Sequence, residues 1–362
     1  MSLLFENYEL KAMDLSNRVI MAPMTRSRSK QPGDIPNAMM AAYYAQRASA
    51  GLIITEATQI SLQGKGYSFT PGIYTEAQIE GWQSVTEAVH AQGGKIFLQL
   101  WHVGRMSHPS LHPDEKIVAP SALASGAKVW VADESGRGTM LECPLPEALS
   151  LEEIQSIIKD YRKAAQNALK VGFDGIEIHA GNGYLLDEFL RTSSNRRQDD
   201  YGGDMERRMR LILEVVDAVS EVFGQARVGI RLSPHNTSRG MDCPEMIELT
   251  YQLAQKLEER QVAYLHFAEA DWDEAPEVPI AFRERIRQIF SGTIIVAGNY
   301  NRIKAERVIE NQWADLVAFG RLFVSNPDLP RRLAQNLPLA DYASDYLFGG
   351  DEKGYTDYLP YG

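Results

Sequence analysis

Short runs of Val, Ile and Leu recur along the whole chain, spaced so that a helix fits between most of them. The runs are RVIMAP from 18, GLIITEA from 51, KIFLQL from 95, GIEIH from 175, VGIRLS from 228, YLHFAE from 264, TIIVAG from 293 and LVAFGR from 316. Most are apolar throughout, which is typical of parallel strands covered on both faces, although a short apolar run alone does not exclude a buried helix. We interpret them as eight strands.

The stretches between these strands carry the signals of helices. From 209 to 223 apolar residues recur at every third or fourth position and form one stripe. Ser150 with Glu153, and Thr75 with Gln78, are capping-box pairs typical of helix N-termini. Strand and helix therefore alternate, which predicts an α/β protein folded as a (β/α)8 TIM barrel, with a doubly wound open sheet as the alternative.

Two segments depart from this alternation. The sequence NYELKAMDLSN from 7 predicts an N-terminal hairpin that closes the bottom of the barrel. The stretch from about 104 to 149 is rich in Gly, Pro and Ser and predicts a long excursion after strand 3, over the barrel mouth. Because no shift in composition marks a linker and no internal repeat is evident, we expect residues 1–362 to form a single domain.

Composition and charge exclude several classes of function. The chain has 37 Lys and Arg against 48 Asp and Glu, a net charge of −11, and its basic residues are scattered, so nucleic acid is not an expected partner. The sequence contains neither a signal peptide nor a long apolar segment, so we expect a cytoplasmic monomer or homodimer without a membrane partner. Cys143 and Cys243 lack CxxC spacing, and no metal site is expected.

The last two strands end in residues that can bind an anion. Gly298 and Asn299 follow strand 7, and Gly320 and Arg321 follow strand 8; helices are expected from about 301 and about 327. Backbone amides beside a glycine and a bidentate guanidinium are typical phosphate ligands. A turn glycine is the simpler explanation of either pair alone, but the two consecutive pairs favour a phosphate site.

Three other strand ends carry Thr25, Gln99 and Arg231. A hydroxyl, a carboxamide and a fixed positive charge together suit a heterocycle with imide edges. Structural alternatives stay open for each residue: a helix cap for Thr25, a loop staple for Gln99, and a buried ion pair with Glu56 or Glu269 for Arg231.

The turn after strand 4, HAGNGY, carries His179, Asn182 and Tyr184, although a turn requires only its glycines. His179 and Asn182 both present N–H donors, and two donors that converge on one oxygen polarise a carbonyl or hold a phenolate. Tyr184, with an ordinary pKa near ~10, stays protonated at neutral pH and can act as a general acid. This spacing is common by chance, so it does not by itself establish catalysis.

Ordered motifs from end to end of the chain resemble the Old Yellow Enzyme family of FMN-dependent ene-reductases. They are APMTRSRS at 22, EATQIS at 56, QGKGY at 63, GWQSVTEAVHAQGGKIFLQLWHVGR at 81, HAGNGYLLDEFL at 179, SSNRRQDDYGG at 193, RLSP at 231, AFGR at 318, NPDLPRRL at 326 and GYTDY at 354. Thr25, where another subgroup has cysteine, indicates the classical subgroup.

The resemblance implies where the cofactor binds. FMN would lie at the barrel mouth without a covalent bond, reduced by NADPH or NADH. The residues implied around its ring are Pro23, Thr25, Ala57, Gln99 and Arg231, and those around its phosphate are Gly298, Asn299, Gly320 and Arg321.

The resemblance also implies a reaction. His179 and Asn182 would hold the oxygen of an enal, enone, maleimide, nitroalkene or phenolic ligand, with nitroaromatics and nitrate esters as further candidates. A ping-pong cycle would transfer hydride from flavin N5, and Tyr184 would donate the proton. The implied wall of the substrate pocket is aromatic: Tyr67, Trp101, Trp272 and Tyr355. Two alternatives remain, a flavin-binding or small-molecule-binding barrel without turnover, and a sugar-phosphate isomerase or aldolase.

Overall fold

The computed structural model describes residues 2–11, 13–133, 136–269 and 277–362, and its centre is a closed parallel barrel. Barrel strands β1 to β8 are Val19–Met21, Leu52–Ile54, Ile96–Trp101, Gly175–His179, Val228–Leu232, Tyr264–Ala268, Thr293–Ala297 and Leu316–Phe319. Each strand pairs in parallel with the next, and β8 pairs with β1 through Val317 and Val19. The predicted (β/α)8 barrel is therefore confirmed and the open sheet is excluded.

Helices connect the strands around the outside of the barrel. Helices α1 to α10 are Ala38–Ala45, Glu76–Ala91, Leu151–Lys170, Leu185–Leu190, Met205–Phe223, Met246–Glu259, Ile280–Ile289, Arg302–Glu310, Arg321–Ser325 and Leu329–Gln335. Both predicted capping boxes form, at Thr75 before α2 and at Ser150 before α3. The sequence analysis missed α9 because its five residues are too few to show a period.

The N-terminal hairpin closes one end of the barrel, as predicted. Its strands Tyr8–Leu10 and Met13–Leu15 are antiparallel, and Leu10 and Leu15 belong to the apolar cluster that fills the barrel interior. The Tyr8 hydroxyl lies 2.8 Å from Oγ1 of Thr293, the first residue of β7. The hairpin therefore covers the amino ends of the strands and leaves the carboxyl ends open for a site.

The predicted excursion follows β3 and covers the opposite end. Its strands Lys128–Ala132 and Gly138–Glu142 pair antiparallel, and we call these two strands the roof hairpin. Two shorter strands, Val118–Ala119 and Glu147–Ala148, pair in parallel at the base of the excursion. Within the described ranges, no helix has the length and apolar character needed to cross a lipid bilayer.

Candidate active site

A cavity of about 720 Å³ opens at the carboxyl ends of the barrel strands. This volume is typical of a site for a cofactor or a small molecule. Most of the residues predicted from the sequence line it: Pro23, Thr25, Ala57, Tyr67, Gln99, Trp101, His179, Asn182, Tyr184, Arg231, Gly298, Asn299, Gly320 and Arg321. The fold therefore brings together residues that are distant in the sequence, from the ends of seven barrel strands and the segments that follow them.

Tyr355 is a correction to the sequence analysis. Its side chain is fully buried, and its ring stacks on Tyr43 with 4.0 Å between centroids. The Arg28 guanidinium lies 4.5 Å from the centroid of the same ring. Tyr355 is therefore a core residue that anchors the C-terminal segment, and the prediction that it lines the substrate pocket is wrong. Trp272, the other predicted pocket residue, lies outside the described residues.

A buried polar cluster supports the cavity from inside the barrel. Glu177 of β4 accepts a hydrogen bond from Nε2 of Gln99 and another from Nδ1 of His266, each at 2.7 Å. We call Gln99, Glu177, Arg231 and His266 the floor cluster. Burial alone would raise the pKa of Glu177, but the His266 ring and the charge of Arg231 lower it, so the carboxylate is ionised.

The floor cluster shows which partners Gln99 and Glu177 have, and it excludes two of the partners considered for Arg231. Because Gln99 donates its Nε2 to Glu177, its Oε1 is the atom left to accept a bond at the cavity. Glu56 accepts instead from the backbone amide of Arg26, and Glu269 forms an ion pair with Arg283. Glu177 was missed by the sequence analysis, although a carboxylate inside the apolar run GIEIH is a signal that could have identified it.

His179 presents a neutral N–H donor. Its Nδ1 accepts from the Gly181 amide at 3.3 Å, which places the proton of a neutral ring on Nε2. Burial lowers the pKa of His179 well below its ordinary value, and the neighbouring Arg231, His266 and Arg239 lower it further. The His179 ring therefore stays uncharged in neutral and slightly acidic solution.

The backbone of the turn places Asn182 beside His179. Asn182 has φ of +58°, a left-handed conformation that asparagine adopts more easily than most residues. Its amide donates to Ser233 Oγ at 2.6 Å, and its carbonyl accepts from Nη1 of Arg239 at 2.7 Å. A Cβ atom at Gly181 would lie 2.8 Å from the same Ser233 oxygen, which explains the glycine there.

Tyr184 immediately precedes α4 and lies close to His179. Its ring meets the rings of His179 and Trp101 edge-on, with centroid distances of 5.0 and 4.8 Å. Its hydroxyl lies 3.2 Å from the Tyr67 hydroxyl. Burial, followed by the neighbouring Tyr184, raises the pKa of Tyr67 well above its ordinary value, so Tyr67 keeps its proton. The hydroxyls of Tyr67 and Tyr184 thus share one hydrogen bond at the cavity.

The predicted phosphate ligands lie side by side. Ala297 of β7 pairs with Ala318 of β8, which aligns the residues that follow the two strands. Gly298 has φ of +153° and Asn299 has φ of +52°, so this turn uses backbone conformations that favour glycine and asparagine. Arg321 begins α9, and its Nη1 lies 3.4 Å from the Tyr342 hydroxyl.

Several lining residues come from the roof hairpin and from loops, and were not predicted. They are Lys128, Trp130 and Met140 of the roof hairpin, Arg239 after β5, and Tyr300, Tyr342 and Phe348. The path of these segments over the cavity is set by tertiary contacts, so the sequence held no signal for the positions of these residues. Among the described residues, no group of three or more His, Cys, Asp or Glu side chains is arranged to hold a metal ion.

Comparisons with known proteins place this geometry in a family. The model of the NADH:flavin oxidoreductase / NADH oxidase family matches residues 3–340. The putative 12-oxophytodienoate reductase 2 of Oryza sativa subsp. japonica is 43% identical over 364 residues, which cover 97% of this chain and 92% of that protein.

Solved structures of similar proteins support the same family. Morphinone reductase superposes with a TM-score of 0.96 at 49% identity, covering 99% of this chain and 96% of that one. Its complex with tetrahydroNAD superposes with a TM-score of 0.95, over 99% and 98% of the two chains. The Old Yellow Enzyme homologue from Zymomonas mobilis has a TM-score of 0.93 at 39% identity, over 98% and 99%. The chain therefore belongs to the Old Yellow Enzyme family of FMN ene-reductases and is an NAD(P)H-dependent flavin oxidoreductase.

Proposed function

We propose that the protein reduces activated C=C bonds in α,β-unsaturated aldehydes and ketones, maleimides and nitroalkenes, with FMN in the cavity and NADPH or NADH as reductant. One observation carries this proposal. His179, Asn182 and Tyr184 line the same cavity as the residues expected to hold FMN. A binding protein without turnover would not require a proton donor beside a pair of N–H donors.

The residues present fit FMN. Pro23 and Ala57 form an apolar part of the cavity wall that suits a flat ring. The Gln99 Oε1 is an acceptor for an imide N–H. A Cβ atom added at Gly320 would meet nothing closer than Met24 Sδ at 3.5 Å, so the backbone there is open to close approach. FMN, when bound, would take a hydride from the reduced nucleotide and pass it to the β-carbon of the alkene.

The chain's own residues would polarise the substrate. The Nε2–H of His179 and the carboxamide of Asn182, which both line the cavity, would donate to one carbonyl, nitro or phenolate oxygen. Two such donors withdraw electron density from the conjugated alkene and make its β-carbon electrophilic. A low pKa at His179 supports this role, because an uncharged ring donates without placing a full charge beside the substrate.

Tyr184 would then supply the proton for the α-carbon. Its hydroxyl reaches the cavity and lies within hydrogen-bond distance of Tyr67, whose hydroxyl can donate a hydrogen bond to the phenolate that Tyr184 becomes. The aromatic rings around it, of which Trp101 is fully buried, exclude water from the reacting carbon.

An absorption spectrum followed by titration with 4-chlorophenol tests the proposal. We expect a flavin spectrum that develops a long-wavelength charge-transfer band, and a much weaker band in His179→Ala. A colourless protein that cannot be reconstituted with FMN would overturn the proposal. A protein that binds FMN but not the phenol would retain the cofactor site and lose the proposed substrate site.

A further inference from the structure

The cavity is cationic although the protein is acidic. The net charge of the chain is −11. Among the described residues that line the cavity, none is Asp or Glu, and the cationic ones are Arg26, Lys128, Arg231, Arg239 and Arg321. Such a lining raises the local concentration of anionic ligands.

Three of these cations already have a place in the structure or in the proposed FMN site. The Arg26 guanidinium donates to the carbonyls of Leu347 and Gly354 at 2.8 Å, so it holds the C-terminal segment. Arg231 belongs to the floor cluster, and Arg321 lies at the expected phosphate end. Arg239 and Lys128 remain, and FMN binding gives no reason for either.

Arg239 lies against the proposed catalytic residues. Its guanidinium carbon is 5.6 Å from the centroid of the Tyr184 ring, and its Nη1 donates to the Asn182 carbonyl at 2.7 Å. Its charge also contributes to the lowered pKa of His179. The guanidinium is therefore within reach of a group attached to the alkene that Tyr184 protonates.

The loop that carries Arg239 is held in position. Arg239 has φ of +62°, which costs roughly 1 kcal/mol or more for a residue with a side chain. The buried Arg105 bonds this loop through the carbonyls of Arg239 and Gly240, at 3.3 and 3.4 Å, and bonds the excursion through the Leu123 carbonyl at 3.0 Å. Arg239 is thus pre-organised at the cavity and not a mobile surface side chain.

Lys128 is a weaker candidate for binding an anion. Its ammonium pairs with Glu142 at 3.6 Å, and the side chains of both residues are more than half exposed, at 54% and 81%. Exposed pairs of this kind contribute little because solvent screens them. Arg239 is half-buried, and its planar fork matches the two oxygens of a carboxylate.

We propose that Arg239 makes this enzyme selective for substrates that carry a carboxylate close to the activated alkene. This inference rests on the proposed function and names its substrate class. The hydride and proton transfers are those already described; the carboxylate takes no part in bond making and serves only to hold the substrate.

Paired ligands test the selectivity without turnover. The FMN-loaded enzyme is titrated at neutral pH with 3- and 4-hydroxybenzoate and with their methyl esters, and Kd is read from the charge-transfer band. In Arg239→Gln we expect Kd of the better-bound acid to rise about 10- to 100-fold, as for loss of a hydrogen bond to a charged group, with little change for its ester. Arg239→Lys should retain part of the preference.

The control is Arg137→Gln, which removes an equal charge from a side chain that is 87% exposed and lies outside the cavity lining. It should leave acid and ester affinities unchanged. Equal weakening of acid and ester in Arg239→Gln would overturn the inference, since it would indicate that Arg239 acts only by holding the Asn182 carbonyl. A rise in KM for the nucleotide with an unchanged preference for the acid would overturn it as well.

Steady-state kinetics provide a second test of the selectivity. For 3-oxocyclohex-1-ene-1-carboxylate and its methyl ester, Arg239→Gln should raise KM for the acid by a much larger factor than KM for the ester. The proposed function fails separately from this inference: if the esters and 4-chlorophenol give no charge-transfer band in the wild-type protein, the oxygen site itself is wrong and both proposals fall together.

Discussion

The floor cluster and the roof hairpin of the cavity differ in burial and in hydrogen bonding. In the floor cluster, Gln99, Glu177 and His266 are buried on neighbouring or facing barrel strands and are joined by bonds of 2.7 Å. In the roof hairpin, Met140 is 53% exposed although it lines the cavity. The floor cannot move without opening the barrel, whereas the roof can change without unfolding it. We therefore expect cofactor geometry and substrate preference to depend on separate parts of the molecule.

The largest expected effect separates chemistry from cofactor reduction. Tyr184→Phe should slow the alkene half-reaction by about 10²–10⁴, the usual contribution of general acid catalysis. Reduction of the flavin by nucleotide should be nearly unchanged, because Tyr184 is not part of the floor cluster. Stopped-flow measurement of each half-reaction checks this, and equal loss in both would contradict the role of Tyr184.

Removing one of the two N–H donors should be almost as costly. His179→Ala is expected to reduce the rate of alkene reduction by ~10²–10³, and Asn182→Ala should act in the same direction. Both variants should also bind 4-chlorophenol more weakly in the charge-transfer titration. Unchanged phenol affinity in both variants would show that the substrate oxygen lies elsewhere.

The floor and the roof should differ in their contribution to stability. Glu177→Leu leaves the half-buried Arg231 and the buried His266 without their carboxylate, and removing one partner of a buried pair in this way costs about 3–5 kcal/mol of unfolding free energy. The matched change next to the roof hairpin, Arg137→Gln, should stay within about 0.5 kcal/mol, as is usual for exposed positions. Denaturant unfolding of the two apoproteins compares them directly, and similar losses would remove the distinction between floor and roof.

A smaller, pH-dependent effect is expected at the junction of the excursion with α4. Burial raises the pKa of Glu188 from 4.5 to about 8, although the nearby Arg105 opposes this. The native state thus holds a proton that the unfolded state loses, so the stability contributed by this proton falls as pH rises from about 4.5 to about 8. Glu188→Gln should flatten this fall in unfolding experiments at several pH values; parallel curves for the two proteins would exclude it.

The same division explains what the sequence could and could not predict. The strands, and with them Gln99, Arg231 and Arg321, could be located because parallel strands covered on both faces leave uninterrupted apolar runs. Arg239 could not be located, since the path of its loop depends on hydrogen bonds from the distant Arg105. Tyr355 was misplaced because an aromatic residue has the same sequence signal in a core as in a pocket wall.

The pairing of β8 with β1 has a consequence for how the protein is made. The first and last strands of the barrel pair through Val317–Phe319 and Val19–Met21, and Arg26 beside Thr25 is fixed by carbonyls as late as Gly354. A ribosome delivers these partners at opposite ends of synthesis, so a nascent chain with only its first seven barrel strands has an open sheet and no finished cofactor site. Flavin capture is therefore expected to follow translation, and a stalled chain that ends before β8 should emerge colourless.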